Sequence, residues 1–133
     1  MSVSEPTATS AAIAPHLAGL RAGEIVLATC GGCGLVSLPR PDRCRRCGDG
    51  RHEWRRQAGE GRIWSFVEFV KDYLHRPDLP VPYVVALVEL DAGAVVMASV
   101  AGSRYGDLRV GQRVRVGVES YAAGPRLVAR ANP

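Results

Sequence analysis

Apolar and polar positions follow one rhythm in the second half of the chain and another in the first. In "RVRVGVE", residues 113–119, Val114, Val116 and Val118 fall on one side of an extended strand and Arg113 and Arg115 on the other, a period of two. Four further β-rich runs share that half: "RIWSFVEFV", "YVVALVEL", "AVVMASV" and "RLVAR". Turn-forming clusters at residues 72–82, 91–93, 102–111 and 120–125 separate the five. Short strands at that spacing predict a small barrel, with Met97 and the valines around it in its interior. Trp54 and Trp64 read as core or inter-module packing, because rings of that size are rarely left in water.

Upstream the period changes. Ile13, Leu17 and Leu20 stand at i, i+4 and i+7, with Pro15 suited to a first helical turn and Gly23 to a stop, which predicts a short one-sided helix. A helix of that length does not stand alone in water. Its apolar stripe must dock on the rest of the chain or on another protein. Residues 1–12, "MSVSEPTATSAA", are small and polar and read as a disordered tail. A strand "EIVLATC" and a return strand near residues 52–57 enclose a segment rich in cysteine. The organisation expected is therefore a tail over 1–12, a helix with a small cysteine module over 13–57, and a barrel over 58–133. The fold class is mainly β.

Charge changes this picture only locally. The formal net charge of +4 is concentrated between Arg40 and Arg62, where eight arginines face four acids; elsewhere nine bases balance nine acids. Arg43, Arg45, Arg46, Arg51, Arg55 and Arg56 form a candidate contact for the phosphates of an acyl-CoA or for an acidic partner. The competing reading is a solvated face that offsets an anionic metal site. The longest charge-free stretches, residues 6–20 and 25–39, are too short to span a bilayer. No basic segment and apolar core of a secretory leader follows Met1, so a reducing, cytoplasmic compartment is the expectation.

The candidate chemistry lies in "CGGCGLVSLPRPDRCRRCG", residues 30–48, which holds all four cysteines as two copies of Cys-x-x-Cys-Gly. A disulfide framework needs an oxidising compartment. A thioredoxin-like pair needs one motif at the start of a helix, whereas here two motifs are flanked by strands. Tetrahedral metal binding explains the duplication directly, since each turn delivers two thiolates to one ion. Cys30, Cys33, Cys44 and Cys47 are thus the expected ligands of a structural zinc, with iron possible in the same four-sulfur cage. Gly34 and Gly48 supply the left-handed backbone that lets amide groups turn toward the sulfurs. Four protein ligands leave no open position for substrate, so no catalytic residue is assigned.

The order of elements is more specific than any one motif. The short helix, the cysteine segment, the Trp before "AGEGRIWSF", "VPYVVALVELDAG" and "LRVGQRVRV" together resemble the family that pairs a rubredoxin-like zinc ribbon with a C-terminal five-stranded OB-fold barrel. The resemblance runs from about residue 13 to 130. It implies an acyl-CoA-associated accessory subunit of a thiolase-like, ketosynthase-like or hydratase-like enzyme in lipid, sterol side-chain or polyketide metabolism. In that setting Ile13, Leu17 and Leu20 would be the partner-docking face of the helix, and the protein would not be an enzyme on its own. With every cysteine committed to metal, none is left as a nucleophile for thiolase chemistry.

Two other functions compete. Zinc ribbons and OB-folds also bind single-stranded nucleic acid, using basic residues and stacked aromatics on the second and third barrel strands. From Pro77 to Ser103 there is no Lys or Arg and Tyr83 is the only aromatic, which argues against it. An independent active site could be built from Asp72, His75 and Asp78 in "KDYLHRPDLP". Its many turn formers read instead as a solvated loop. His16 and His52 carry no assignment.

Overall fold

The computed structural model describes residues 8–132. One helix, α1 (Ala8–Arg21), precedes eight strands: β1 (Val26–Cys30), β2 (Val36–Ser37), β3 (His52–Arg56), β4 (Glu60–Phe69), β5 (Tyr83–Leu90), β6 (Val95–Val100), β7 (Arg113–Tyr121) and β8 (Gly124–Ala131). The first three strands form a small sheet in the order β2-β1-β3, and the last five close a barrel in the order β4-β5-β6-β8-β7. Closure is completed by the parallel pairing of β6 with β8, Ser99 opposite Val128. No helix among the described residues is long and apolar enough to cross a membrane.

The five predicted barrel strands are all present, and the alternation in β7 is as expected. Val114 and Val116 are buried, while Arg113 and Arg115 reach outward to Asp91 and Glu60. Two large side chains correct the sequence reading. A bulge between Ile63 and Ser65 leaves Trp64 without a partner on β5 and turns it into water, 59% exposed. Beyond the bulge the alternation resumes one residue out of step, so Phe66 packs against the core and Val67 is exposed. In β6 the pairs Ala86–Ala98 and Val88–Val96 set the inward face, which leaves Met97 outside and 66% exposed. Trp54 is half-buried.

The helix also differs. It starts at Ala8, so residues 8–12 of the expected tail are helical, as the alanines there favour, and residues 1–7 lie outside the described residues. Pro15 is consequently inside the helix rather than in its first turn. A proline ring there disturbs the carbonyls one turn earlier. The Ala12 carbonyl accepts a hydrogen bond from the Arg40 N–H at 2.9 Å, tying the helix to the loop between the cysteine pairs. The face turned inward is His16, Gly19 and Leu20 rather than Ile13, Leu17 and Leu20: Leu17 is 42% exposed and Ile13 half-buried. His16, 5% exposed, bonds through Nδ1 to the Val26 carbonyl at 3.0 Å. Gly19 lets the helix touch β1, since a Cβ there would stand 2.6 Å from Val26 Cγ2.

Ribbon and barrel share one hydrophobic core. Leu27 and Val36 from the small sheet, and Ile25 just before it, belong to the same buried cluster as Ile63, Val88, Val114 and Ala129 of the barrel. The short link from β3 to β4 makes this possible through Gly59, whose carbonyl accepts the Val116 N–H at 2.8 Å. A Cβ on Gly59 would overlap the Val116 carbonyl oxygen.

Across the barrel, the β4–β5 loop is anchored by a clasp. Asp78, expected to face water with Asp72 and His75, is only 11% exposed, and stands 3.4 Å from Arg76 and 3.5 Å from Arg126. Arg126 in turn donates to the Asp78 carbonyl at 3.1 Å and lies 3.6 Å over the Tyr121 ring. Asp72 and His75 do remain at the surface, with the Asp72 carboxylate accepting the His75 N–H at 2.7 Å. Burial alone would raise the Asp78 carboxyl, but the Ala123 N–H and the two guanidinium groups outweigh it and hold it below its ordinary value.

Gly59→Ala should destabilise the chain by about 3 kcal/mol or more in thermal or denaturant unfolding, since backbone must move to admit the methyl group. Gly117→Ala, where an added Cβ meets nothing within 4 Å, should change stability by no more than about 0.5 kcal/mol. The clasp sets a pH dependence whose sign is fixed by the depressed carboxyl: it is intact at neutral pH and is lost only as pH falls below the ordinary 3.8 toward the folded-state value. Amide exchange in residues 76–82 should therefore stay slow at pH 5 and accelerate in stronger acid. Asp78→Asn should show the fast exchange already at neutral pH.

Candidate metal centre

The cysteine segment folds as two turns with the same hydrogen-bond pattern. In the first, the Cys30 N–H donates to the Leu35 carbonyl at 2.9 Å and the Gly34 N–H to the Cys30 carbonyl at 3.0 Å. In the second, Cys44 donates to Asp49 and Gly48 to Cys44, both at 2.8 Å. Gly34 and Gly48 have φ of 80° and 79°, the left-handed conformation expected from their place after each second cysteine. Amides of each turn point at the sulfurs, among them Gly32 N–H to Cys30 Sγ at 3.3 Å and Arg46 N–H to Cys44 Sγ at 3.4 Å.

All four sulfurs lie within 4.8 Å of one another. Cys30 and Cys47 Sγ are 3.5 Å apart and Cys33 and Cys44 Sγ 3.6 Å, far beyond a disulfide bond. Ligands 2.3 Å from a central ion at tetrahedral angles stand about 3.8 Å apart, close to these separations. The residues therefore fit a four-sulfur metal site. Cys30 and Cys44 are buried, Cys33 is half-buried and Cys47 is exposed.

Four thiols this close cannot ionise alike. The Leu35 amide, with the Arg46 guanidinium and neighbouring thiols, brings the Cys33 thiol down to about 6. The Asp49 amide pulls Cys47 down too, but sulfur contact with Cys30, loss of water and the Cys33 and Cys44 sulfurs push it up to about 12. One divalent cation removes that conflict by replacing every thiol proton.

The six arginines do not form a single cationic patch. Arg51 grips Asp49 through two nitrogens, holding that carboxyl down to about 2. Arg55 pairs with Glu53, and Arg56 with Glu24. Arg46 donates to the Cys33 carbonyl at 2.9 Å and Arg43 to the Gly48 carbonyl at 3.4 Å. Arg45 makes no such contact among the described residues and lines the cleft where the ribbon loop meets the β5–β6 turn, beside Leu38, Pro39 and Val95. The Glu53–Arg55 pair was readable in principle, since residues two apart on a strand share a face.

A second feature escaped sequence reasoning. The outer face of β4, β5 and β6 and the loop after β4 enclose an apolar groove of about 420 Å³ lined by Phe66, Val67, Tyr73, Leu74, Tyr83 and Met97 among others. Val67 and Met97 border it because the bulge at Trp64 and the register of β6 turn them outward, and Tyr73 and Leu74 come from the loop.

Comparison with known proteins accords with this geometry. Residues 17–53 match the model of the ChsH2 rubredoxin-like zinc ribbon domain, and residues 54–119 that of the ChsH2 C-terminal OB-fold domain. A probable enoyl-CoA hydratase alpha subunit of Thermomonospora curvata is 29% identical over 91 residues; the match covers 68% of this chain and 28% of that protein. This chain thus corresponds to less than a third of that relative. Among solved structures, the Ltp2-ChsH2(DUF35) aldolase contains a chain that superposes with a TM-score of 0.77 at 24% identity, covering 90% of this chain and 93% of that one. A protein of unknown function from the DUF35 family of Sulfolobus solfataricus superposes at 0.62 with 17% identity, covering 91% and 85%. These two likenesses establish a shared fold. With adjoining ribbon and barrel matches from residue 17 to residue 119, the chain belongs to the ChsH2 family.

Proposed function

We propose that the chain is a non-catalytic accessory subunit that docks on a thiolase-like or hydratase-like enzyme acting on acyl-CoA substrates, with a structural zinc in its ribbon. The observation that carries this reading is the closed four-sulfur site: the chemistry-bearing side chains that stand out in the sequence all face one another and leave no position for a substrate. Zinc, when bound there, supplies folding free energy and no reaction. The names of the similar proteins, an aldolase with a ChsH2 component and a hydratase subunit, point to partners that process acyl thioesters.

The surface supports docking through the ribbon side. Leu17 is exposed on α1, and Arg45, beside the ribbon–barrel cleft, is in no ion pair among the described residues. Most of the other ribbon arginines lie in exposed pairs, which are weak and exchange readily with a partner's carboxylates. Single-stranded nucleic acid is a poorer fit, because β5 and β6 carry no Lys or Arg and the groove over them is apolar.

Elemental analysis of freshly purified protein should find one zinc per chain, and a strong chelator should abolish the order of the ribbon. Substoichiometric metal, or iron in place of zinc, contradicts the assignment of the ion. Alone, the chain should not turn over acyl thioesters; co-expressed with the acyl-CoA enzyme encoded beside it, it should co-purify and raise that enzyme's activity or stability. Arg45→Glu should weaken the complex, more at low salt than at high, because exposed charges are screened over about 10 Å at 0.1 M salt. Thioester turnover by the isolated chain, or no association with the neighbouring enzyme, overturns the reading.

A further inference from the structure

The small sheet of the ribbon is open along one edge. In the order β2-β1-β3 the strand β1 is central, and β3 pairs with β1 alone. The register fixes which of its backbone groups remain. Gln57 donates to the Ile25 carbonyl and Gly31 to the Arg51 carbonyl, both at 2.8 Å, so Arg51, Glu53, Arg55 and Gln57 turn their amides and carbonyls toward β1. The N–H and C=O groups of His52, Trp54 and Arg56 therefore point the other way, and none has a backbone partner among the described residues. Glu53, Arg55 and Arg56 are exposed. A row of unpaired backbone groups on exposed chain is a template for another strand.

Side chains decide which strand fits. In "HEWRR" opposite charges stand one residue to either side of Trp54. When a second copy of β3 is laid antiparallel with Trp54 against its own counterpart, Glu53 stands opposite Arg55 of the second copy and Arg55 opposite Glu53 of the second copy. These are the non-hydrogen-bonded positions of the new ladder, where side chains approach most closely. His52, Trp54 and Arg56 fall at the hydrogen-bonded positions, so every outward amide and carbonyl finds a partner. Sliding the pairing by two residues sets Glu53 against Glu53 in one direction and Arg55 against Arg55 in the other, and leaves one outward residue of each copy unpaired. A strand of uniform charge satisfies one of Glu53 and Arg55 and opposes the other. The arrangement of the chain suits the antiparallel pairing. The barrel follows from the Arg56 end of β3, and the cysteine cluster lies at the His52 end, where Cys30 is opposite His52, so pairing directs the two barrels toward opposite ends of the shared sheet. The cleft beside Arg45 borders β2, on the other edge, and stays uncovered.

We propose that two copies of the chain associate through β3, joining their ribbons into one continuous sheet in the order β2-β1-β3-β3-β1-β2 about a two-fold axis at Trp54. In the single chain Glu53 and Arg55 pair with each other along the strand; in the dimer each exchanges that partner for the one across the axis. The contact is short and polar, which places it among weak associations that concentration shifts. It needs no enzyme partner and leaves the surface proposed for one free.

Sedimentation equilibrium of the intact, metal-loaded chain over a concentration series tests it. The mean mass should rise from one chain toward two. Glu53→Arg and Arg55→Glu, both at exposed positions and so compatible with the fold, should each weaken association tenfold or more. Mixed in equal amounts the two variants should associate again, because each supplies the charges the other lacks. The double variant should dimerise as the parent does. Arg56→Pro removes an outward N–H and no bond to β1, and should also weaken association without lowering the unfolding temperature of the ribbon. A parent that stays monomeric at every concentration overturns the inference, as does a dimer that the single charge variants leave intact or a mixture of them that remains monomeric. If the parent is monomeric and Arg56→Pro abolishes co-purification with the neighbouring enzyme, the edge takes a strand of that enzyme: the inference falls and the accessory role stands. If the dimer forms as expected and no enzyme responds to the chain, the dimer stands and the accessory role falls.

Discussion

Four sulfurs gathered within 4.8 Å are the constraint on which the rest of the molecule depends. Without a cation their protons and charges conflict, and the loop between the pairs, bearing only the two-residue strand β2, has too little apolar surface to hold them together. With a cation the same arrangement yields on the order of 10 kcal/mol of folding free energy. That gain reaches beyond the ribbon. Leu27 and Val36 are held on the small sheet by the cysteine turns, and with Ile25 just before β1 they complete a core whose other side is the barrel.

The barrel uses this support to spend its own side chains differently. Here the core takes three from the ribbon, and β4 and β6 present Val67 and Met97 to the outside. The bulge at Trp64 is the local device, and the clasp between Asp78 and Arg126 is the distant one that keeps the facing loop in place. The helix completes the frame: Gly19 admits it against β1 and His16 pins it to the Val26 carbonyl, leaving Leu17 outward.

Much of this could be read from sequence because it depends on spacing. Two Cys-x-x-Cys-Gly turns announce a tetrahedral site, and their glycines announce the left-handed backbone that the turns adopt. Strand alternation in residues 113–119 named its inward valines correctly, since both neighbours of that strand are regular there. What depends on register was hidden. Whether Met97 faces in or out is decided by which residue of β5 it opposes, and Trp64 by a bulge that no local pattern marks. The fate of Asp78 rests on Arg126, forty-eight residues away, and could not be separated by composition from that of its exposed neighbour Asp72. The start of α1 was missed because alanine and threonine in a charge-free stretch read equally as tail or helix until the Arg40 amide and β1 give the helix something to rest on.

The central claim is that the metal-held ribbon forms one wall of the barrel's core rather than a separate appendage. Amide hydrogen exchange, measured residue by residue before and after removal of the metal by a chelator, tests it most directly. The account predicts that Leu27 to Cys30 and His52 to Arg56 lose protection entirely and that barrel amides behind the shared core, such as Val88 and Val114, lose part of theirs in the same step. Loss of protection in the ribbon alone, with every barrel amide exchanging as before, would contradict it.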